Sequence, residues 1–345
     1  MKNGSVLNFT DFKPLSARVP RVTSHLSLQD KWGALKVRLA INRHSYAVAP
    51  GIYAIGKPDS QSDVFVTSNY KLTFDIVRRN LEGLNAWILV LDTKGVNVWC
   101  AAGKGTFGTA ELVRRIQLTS LKDIVSHKRL ILPQLGAVGV AAYKIKELTG
   151  FSVTFGPVRA ADIRSFVEKG YKATPDMRRV DFPWFERLKL VPVEIVLSYK
   201  YLLIALILLL GLAGIYQTGY SFDLILSKSP VVLMNLLVGY LAGTLITPLV
   251  LPYVPFRSFS AKGLVVGLFS AILPLAFNLL GNTPLEILSW LMVIGSISSF
   301  LAMNFTGAST YTSLSGVKKE MRIAIPLQIG FAAVGLILFT LSAIF

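Results

Sequence analysis

The 345-residue chain predicts an α/β domain, built as a parallel sheet with helices on both faces, followed by an all-α membrane domain of five helices. Three observations carry this. Hydrophobic residues make up 52% of the chain and the mean hydropathy is +0.54, too apolar for an ordinary water-soluble protein of this length. The excess is uneven: from Tyr201 onward the only charged residues are Asp223, Lys228, Arg257, Lys262, Glu286, Lys318, Lys319, Glu320 and Arg322. Between residues 46 and 170, short apolar runs alternate with amphipathic stretches, the pattern of strands joined by covering helices. The expected organisation is an N-terminal extension (1–45), an α/β domain (46–170), a linker or interfacial segment (171–198) and a transmembrane domain (199–345).

Strands are expected at 52–56, 63–67, 86–91, 129–132 and 151–155. Several are near-continuous apolar runs, as strands buried on both faces require. Helices are expected at 70–80, 107–118, 121–128, 137–149 and 159–169, and Ser120 with Asp123 resembles a capping box for the third. In such sheets ligands bind beyond the carboxyl ends of the strands. Four loops rich in small residues fall there: 67–70 with Thr67 and Asn69, 92–104, 133–137 with Leu135, Gly136 and Ala137, and 156–159 with Gly156, Pro157 and Val158. Together they predict a broad, flat pocket.

The membrane helices are expected at 199–217, 231–252, 263–280, 285–304 and 323–344, each close to the ~20 residues that cross ~30 Å of hydrocarbon. With the N-terminal domain inside, Arg187, Lys189, Lys200, Arg257, Lys262, Lys318, Lys319 and Arg322 flank the inner side, and only Lys228 lies outside. This predicts a multi-pass protein of the inner membrane with a cytoplasmic N-terminal domain and its C-terminus outside. No charged residue falls near the middle of a segment, which favours an anchor over an ion-coupled transporter. Asn235, Asn278 and Ser298 suit interhelical hydrogen bonds, and the pairs Gly239/Gly243 and Gly263/Gly267 suit close helix packing. Trp184 and Phe185 beside Arg187 and Lys189 suit an interfacial anchor or a packed connector.

The net charge is +17. Residues 201–345 hold six Lys/Arg and three Asp/Glu, a net of +3, which leaves +14 for the first 200. No nucleic-acid motif accompanies this charge, so the expected partners are anionic membrane lipid and acidic or anionic ligands. A single cysteine excludes an internal disulfide and a multi-cysteine zinc or iron–sulfur site. The N-terminus shows no apolar signal-peptide core, which again predicts a cytoplasmic soluble domain.

That cysteine, Cys100, lies in the run from Asp92 to Glu111, which leaves a strand and enters a helix. The run is not a P-loop, because Gly103-Lys104 is followed by Gly105 and the earlier glycine is missing. It is not a nucleophile elbow, because the flanking glycines are absent. Two readings stay open on the residues alone. Cys100 is a small packed hydrophobe, or it is a reactive thiol near a helix start with Lys104 close by, available as thiolate.

Asn97-Val98-Trp99-Cys100-Ala101-Ala102-Gly103-Lys104 resembles, at all eight positions, the signature of the mercury-methylating corrinoid protein family. The soluble domain also resembles the corrinoid-binding domain of the large subunit of the corrinoid iron–sulfur protein, although this chain lacks that protein's cysteine cluster. The resemblance implies a Rossmann-like corrinoid-binding domain before five membrane helices. It implies a cobalamin-type corrinoid, methylcobalamin in the loaded form, bound base-off with the Cys100 thiolate as lower axial ligand, and methyl transfer to Hg(II). It also implies two partners, a ferredoxin-like [4Fe-4S] electron donor and a methyltetrahydrofolate-linked methyl donor. There is no Asp-x-His-x-x-Gly motif to supply a histidine ligand; His25, His44 and His127 read as structural or surface residues. On this reading Ala101, Ala102 and Gly103 keep a helix face flat against the macrocycle, Asn97 caps that helix, and Trp99 packs on the ring or in the core. Lys104 touches a corrinoid amide or is solvated. A thiolate is an electron-rich, soft ligand, and it favours methyl release to a soft acceptor. The alternatives are a methyl carrier with another acceptor, a non-catalytic tethered ligand-binding domain, and direct Hg(II) binding by the thiol.

Overall fold

The structure, a computed structural model, describes residues 19–43, 45–308 and 314–344. The reading of His44, and of the first 18 residues of the N-terminal extension, lies outside them. The chain forms two compact units, residues 1–37 with 41–180 and residues 38–40 with 181–345.

The first unit is a mixed α/β domain. Its strands are β1 (Arg21–Val22), β2 (Gly51–Ile55), β3 (Val64–Ser68), β4 (Ala86–Leu91), β5 (Arg129–Leu132) and β6 (Ser152–Phe155). They form one sheet in the order β1-β2-β4-β3-β5-β6. The five expected strands all form, within a residue of their predicted ends. The pairs β4–β3, β3–β5 and β5–β6 are parallel, but β2 runs antiparallel to β4, a departure from the wholly parallel sheet expected. No crossover helix separates β2 from β3. The eight intervening residues return the chain to the sheet at the edge where it left, and that reverses the strand direction.

The helices are α1 (Leu28–Arg38), α2 (Lys71–Asn80), α3 (Val98–Lys104), α4 (Thr109–Leu118), α5 (Leu121–Ile124), α6 (Ala142–Thr149), α7 (Ile163–Glu168) and α8 (Pro175–Arg178). They cover both faces, as expected. On one face Val64, Val66, Leu89, Leu91 and Leu132 pack with Ala101, Ala102, Leu112, Ile116 and Ile145 of α3, α4 and α6. On the other, Phe65, Ile88, Val90 and Ile131 pack with Phe74 of α2 and with Ile163 and Phe166 of α7. Every residue of β3 and β4 is buried, the physical reason that those runs lack alternation.

The capping box at α5 does not form. Ser120 adopts a left-handed φ of 46°, and its backbone carbonyl, not its hydroxyl, accepts from the Asp123 N–H at 2.9 Å. The helices expected at 121–128 and 137–149 are shorter, and a 3₁₀ turn at Gln134–Gly136 precedes α6.

The second unit contains α9 (Trp184–Leu188), α10 (Val191–Ala213), a two-stranded ribbon of β7 (Ile215–Tyr216) and β8 (Gly219–Tyr220), α11 (Phe222–Leu241) and α12 (Thr247–Val250). These are followed by α13 (Phe259–Ser270), α14 (Ile272–Ala276), α15 (Pro284–Asn304) and α16 (Leu314–Ile344). Five helical stretches among the described residues are long and apolar enough to cross a membrane: Trp184–Ala213, Phe222–Val250, Phe259–Ala276, Pro284–Gly307 and Ser315–Ile344. Residues 191–198, expected in the linker, belong to the first of them. Arg187 is buried and is not a surface anchor. Its guanidinium donates to Phe182 O at 2.5 Å and to Leu249 O at 2.8 Å, satisfying a carbonyl in α12.

The expected glycine packing is present. A Cβ on Gly239 would fall 3.2 Å from Ile294 Cα, one on Gly243, just after α11, 2.7 Å from Leu301 Cβ, and one on Gly267 2.7 Å from Ser298 Cβ, so α11 and α13 lie directly on α15. Ser298 Oγ donates to Gly263 O at 2.6 Å, the interhelical bond expected of it, while Asn235 Nδ2 donates to Leu279 O at 2.8 Å, in the segment after α14 and not in a helix. Asn278 makes no such bond. It is exposed, at φ 55°, just beyond the end of α14.

Candidate functional site

The chain leaves β3 toward one face of the sheet and leaves its neighbours β4 and β5 toward the other. Loops that part in this way open a crevice at the strand ends. A cavity of about 260 Å³ lies there. Thr67 at the end of β3, Asn97, Val98 and Trp99 after β4, Pro133 and Leu135 after β5, and Gly156, Pro157 and Val158 after β6 line it. Each of the four predicted loops contributes. The walls also include Thr73, Ile76 and Val77 of α2 and Ala160 and Ile163 near α7, which a search of strand ends could not find. Their signal was present: Thr73, Ile76 and Val77 are spaced i, i+3, i+4, a second face of α2 beside the buried face of Phe74 and Arg78.

Asn97 caps α3, its Oδ1 accepting from the Cys100 backbone N–H at 2.9 Å, as predicted. Gly105 ends the helix with φ 80°, a left-handed turn that glycine adopts without strain. Seven residues between two such caps form a helix with two faces. Val98, Ala101 and Ala102 are buried, while Trp99 is 41% exposed, Cys100 is half-buried, and Gly103 and Lys104 are exposed. The predicted flat face is thus corrected in part. Ala101 and Ala102 face inward, where small side chains let the loop at 136–139 approach; a Cβ on Gly139 would sit 3.2 Å from Ala102 Cα and run into Phe107 O. Gly103 alone of the three faces outward, with nothing within 4 Å of a Cβ built on it.

Asn69 does not line the cavity. It is buried, and its Oδ1 accepts three hydrogen bonds: from Thr93 N (3.1 Å), Thr93 Oγ1 (2.8 Å) and Gly95 N (3.0 Å). Its amide is spent on shaping the loop that carries Asn97 and Cys100, so it is a positioning residue. The start of that loop is tied to α4, because Asp92 N donates to Glu111 Oε1 at 2.9 Å and Arg115 Nη2 donates to the same oxygen at 2.6 Å. The Lys94 ammonium hydrogen-bonded to Asp92 holds that carboxyl below the usual carboxylate range, against the opposing effect of burial. Gly136 and Ala137 also lie off the cavity; a Cβ on Gly136 would press on Phe107 at 2.5 Å.

Two hydroxyls at the end of β3, Thr67 Oγ1 and Ser68 Oγ, are buried without a hydrogen-bond partner among the described residues. Such groups are uncommon and call for a partner. His127 is structural, as expected: its ring bonds Ser62 O at 2.9 Å and accepts from Arg129 N at 3.2 Å. His25 lies at the surface.

Residues 36–167, the stretch that carries the whole cavity, match the family model of the CO dehydrogenase/acetyl-CoA synthase delta subunit. The chain is 35% identical over 130 residues to the acetyl-CoA decarbonylase/synthase complex subunit gamma of Methanopyrus kandleri, covering 37% of this chain and 28% of the relative. It is 33% identical over 126 residues to the corresponding subunit of Archaeoglobus fulgidus, covering 36% and 26%. To the corrinoid/iron-sulfur protein large subunit of Moorella thermoacetica it is 33% identical over 114 residues, covering 32% and 25%. The chain spans about a quarter of the length of these curated relatives.

Proposed function

We propose that the first unit binds a corrinoid over this crevice, and that Cys100 Sγ, which lies next to the lining residues Asn97–Trp99 in the chain but does not itself line the cavity, would hold the cobalt. The whole chain is then a membrane-anchored corrinoid methyltransferase that delivers methyl to Hg(II). The observation that carries this reading is the two-faced helix: α3 is locked from behind by Ala101 and Ala102, and it holds a half-buried thiol and an unobstructed glycine on its outer side.

The residues fit such a group. A corrin is broad, apolar over its faces and fringed with amides. The crevice offers apolar walls from Leu135, Pro157 and Val158, and the unpartnered Thr67 hydroxyl meets an amide. Trp99 presents an exposed ring beside the thiol, and Lys104 is free in solvent for an amide oxygen. When bound, the corrinoid would supply a cobalt-held methyl group for transfer to a soft acceptor, and Cys100 would hold the cobalt as a soft, electron-rich ligand. Asn97 fixes the Cys100 backbone, and through it the direction of the thiol. Asn69 and Glu111 keep the preceding loop in place.

The single cysteine leaves this chain without an iron–sulfur cluster, so a ferredoxin-like [4Fe-4S] protein supplies electrons and a methyltetrahydrofolate-linked protein supplies methyl groups. The distribution of Lys and Arg supports a first unit in the cytoplasm and a C-terminus outside. The acceptor rests on the octapeptide at 97–104. The similarity over residues 36–167 favours, as a second reading, a methyl carrier with a different acceptor. Anaerobic purification, corrinoid loading and a methylation assay separate the two. Methylmercury formed by the wild type and lost in Cys100→Ala supports the first; corrinoid bound with no methylmercury formed supports the second; no corrinoid bound refutes both.

A further inference from the structure

The second unit holds a cavity of about 610 Å³ among α13, α15 and α16, within the ~300–1,000 Å³ of small-molecule sites. Most of its wall is aliphatic, from Leu264, Leu291 and Leu327. Buried polar residues interrupt it, Ser296, Ser299 and Gln328 among them. Gln328 is 8% exposed, its Nε2 donates to Ser299 Oγ at 2.8 Å, and its Oε1 has no partner among the described residues. Gln328 is the fourteenth residue of the 30-residue span Ser315–Ile344, so it lies near the middle of the hydrocarbon. No water is available there, and an amide oxygen left without a donor is costly. Glu320 is eight residues, about 12 Å, away along the helix. Its carboxylate only accepts, taking the Ser260 N–H on Oε1 at 2.6 Å, so it cannot supply a donor to the Gln328 oxygen.

We propose that this cavity binds a neutral, membrane-soluble molecule with a hydroxyl head and an apolar body, its hydroxyl on the Gln328 amide. The depth argues for neutrality, because a charged headgroup beside Gln328 would be buried at mid-membrane without a counter-charge. A hydroxyl both donates and accepts, so it pairs with the amide in either orientation. A wholly apolar molecule fills the volume but leaves the amide unpaired. Prenylated quinols and long-chain alkanols share this chemistry.

The test uses the full-length chain in detergent, with three probes of similar size: a prenylated quinol, a long-chain alkanol, and the matching alkane without a hydroxyl. Retention after gel filtration is measured by mass spectrometry over a range of probe concentrations. Saturable retention of the quinol or the alkanol, at least tenfold tighter than the alkane, is expected, and the tighter of the two arms names the source. Gln328→Leu keeps the volume and removes an unpaired buried amide, so the chain should fold; it should lose that tenfold preference. Ala324→Phe narrows the cavity and should weaken every probe. Equal retention of alcohol and alkane, an unchanged preference in Gln328→Leu, no saturable binding, or retention of charged phospholipid in place of the probes would each overturn the proposal.

Discussion

Replacing Asn69 with Ala removes one oxygen that accepts three hydrogen bonds from the loop leading to Cys100. Thr93 Oγ1 keeps its bond to Val96 O at 2.7 Å, so the loss falls on two backbone donors, Thr93 N and Gly95 N. Thr93 is fully buried and Gly95 half-buried. At ~1–3 kcal/mol for each buried donor left unmet, weighted toward Thr93, the change destabilises the loop by about 2–4 kcal/mol. Carried by local opening, that is roughly 30- to 800-fold faster amide exchange, because each 1.4 kcal/mol is about tenfold. Hydrogen exchange read by mass spectrometry on the full chain should show the acceleration in peptides covering 92–104, with those covering β5 unchanged. Asn69→Asp keeps the acceptor but sets a second carboxylate against Asp92, whose Oδ1 the Asn69 Nδ2 faces at 3.5 Å, so it should not restore wild-type exchange. Unchanged exchange across 92–104 in Asn69→Ala would refute the positioning role; uniform acceleration through the unit would show that the bonds support the whole fold instead.

Three further outcomes follow from the same geometry. Gly139→Ala drives a methyl into Phe107 O and toward Ala102 Cα, so it should cost about 1–3 kcal/mol and lower the calorimetric melting of the first unit by several degrees. Val138→Ala next to it, at a position 83% exposed, should leave melting unchanged. Asn97→Ala removes the α3 cap and should cost about 1 kcal/mol, read as weaker corrinoid retention with little loss of global stability. Burial opposes ionisation of Asp30, but hydrogen bonds from Lys71, Ser27 and Arg78 outweigh it and hold the carboxyl well below the usual carboxylate range. A depressed folded-state value adds stability that is present above the unfolded value near ~3.9 and fades as pH falls below it. Acid unfolding followed by circular dichroism should therefore show stability that begins to fall below about pH 4, while the α1–α2 tie itself persists to lower pH in the folded chain. Asp30→Asn should lower stability at pH 7 and flatten that acid limb.

The sheet and the site were legible to different depths, for physical reasons. The strands were readable because burial on both faces writes itself as continuous apolar runs, as in Ala86–Leu91. The direction of β2 was not, because pairing partners are set by the length of the connection and not by the strand's own residues. The four rim loops were legible from their small residues, and the crevice lies among them. Asn69 and Ala101 were misassigned because polarity and size alone do not say whether a side chain faces a ligand or its own fold. Asn69 turned out to face the loop it organises, and Ala101 the hydrophobic core beneath α3. The membrane glycines showed their packing role through four-residue spacing. Gln328 passed unnoticed because a lone uncharged polar residue leaves little mark on a hydropathy profile.

The account rests on Cys100 as a cobalt ligand, and X-ray absorption at the cobalt edge tests it most directly. The full chain is purified anaerobically, loaded with corrinoid and measured beside Cys100→Ala and Cys100→Ser. A sulfur scatterer on cobalt in the wild type, replaced by oxygen or nitrogen in both variants, is the predicted result. A wild-type spectrum without sulfur, or one that the variants reproduce, would contradict it.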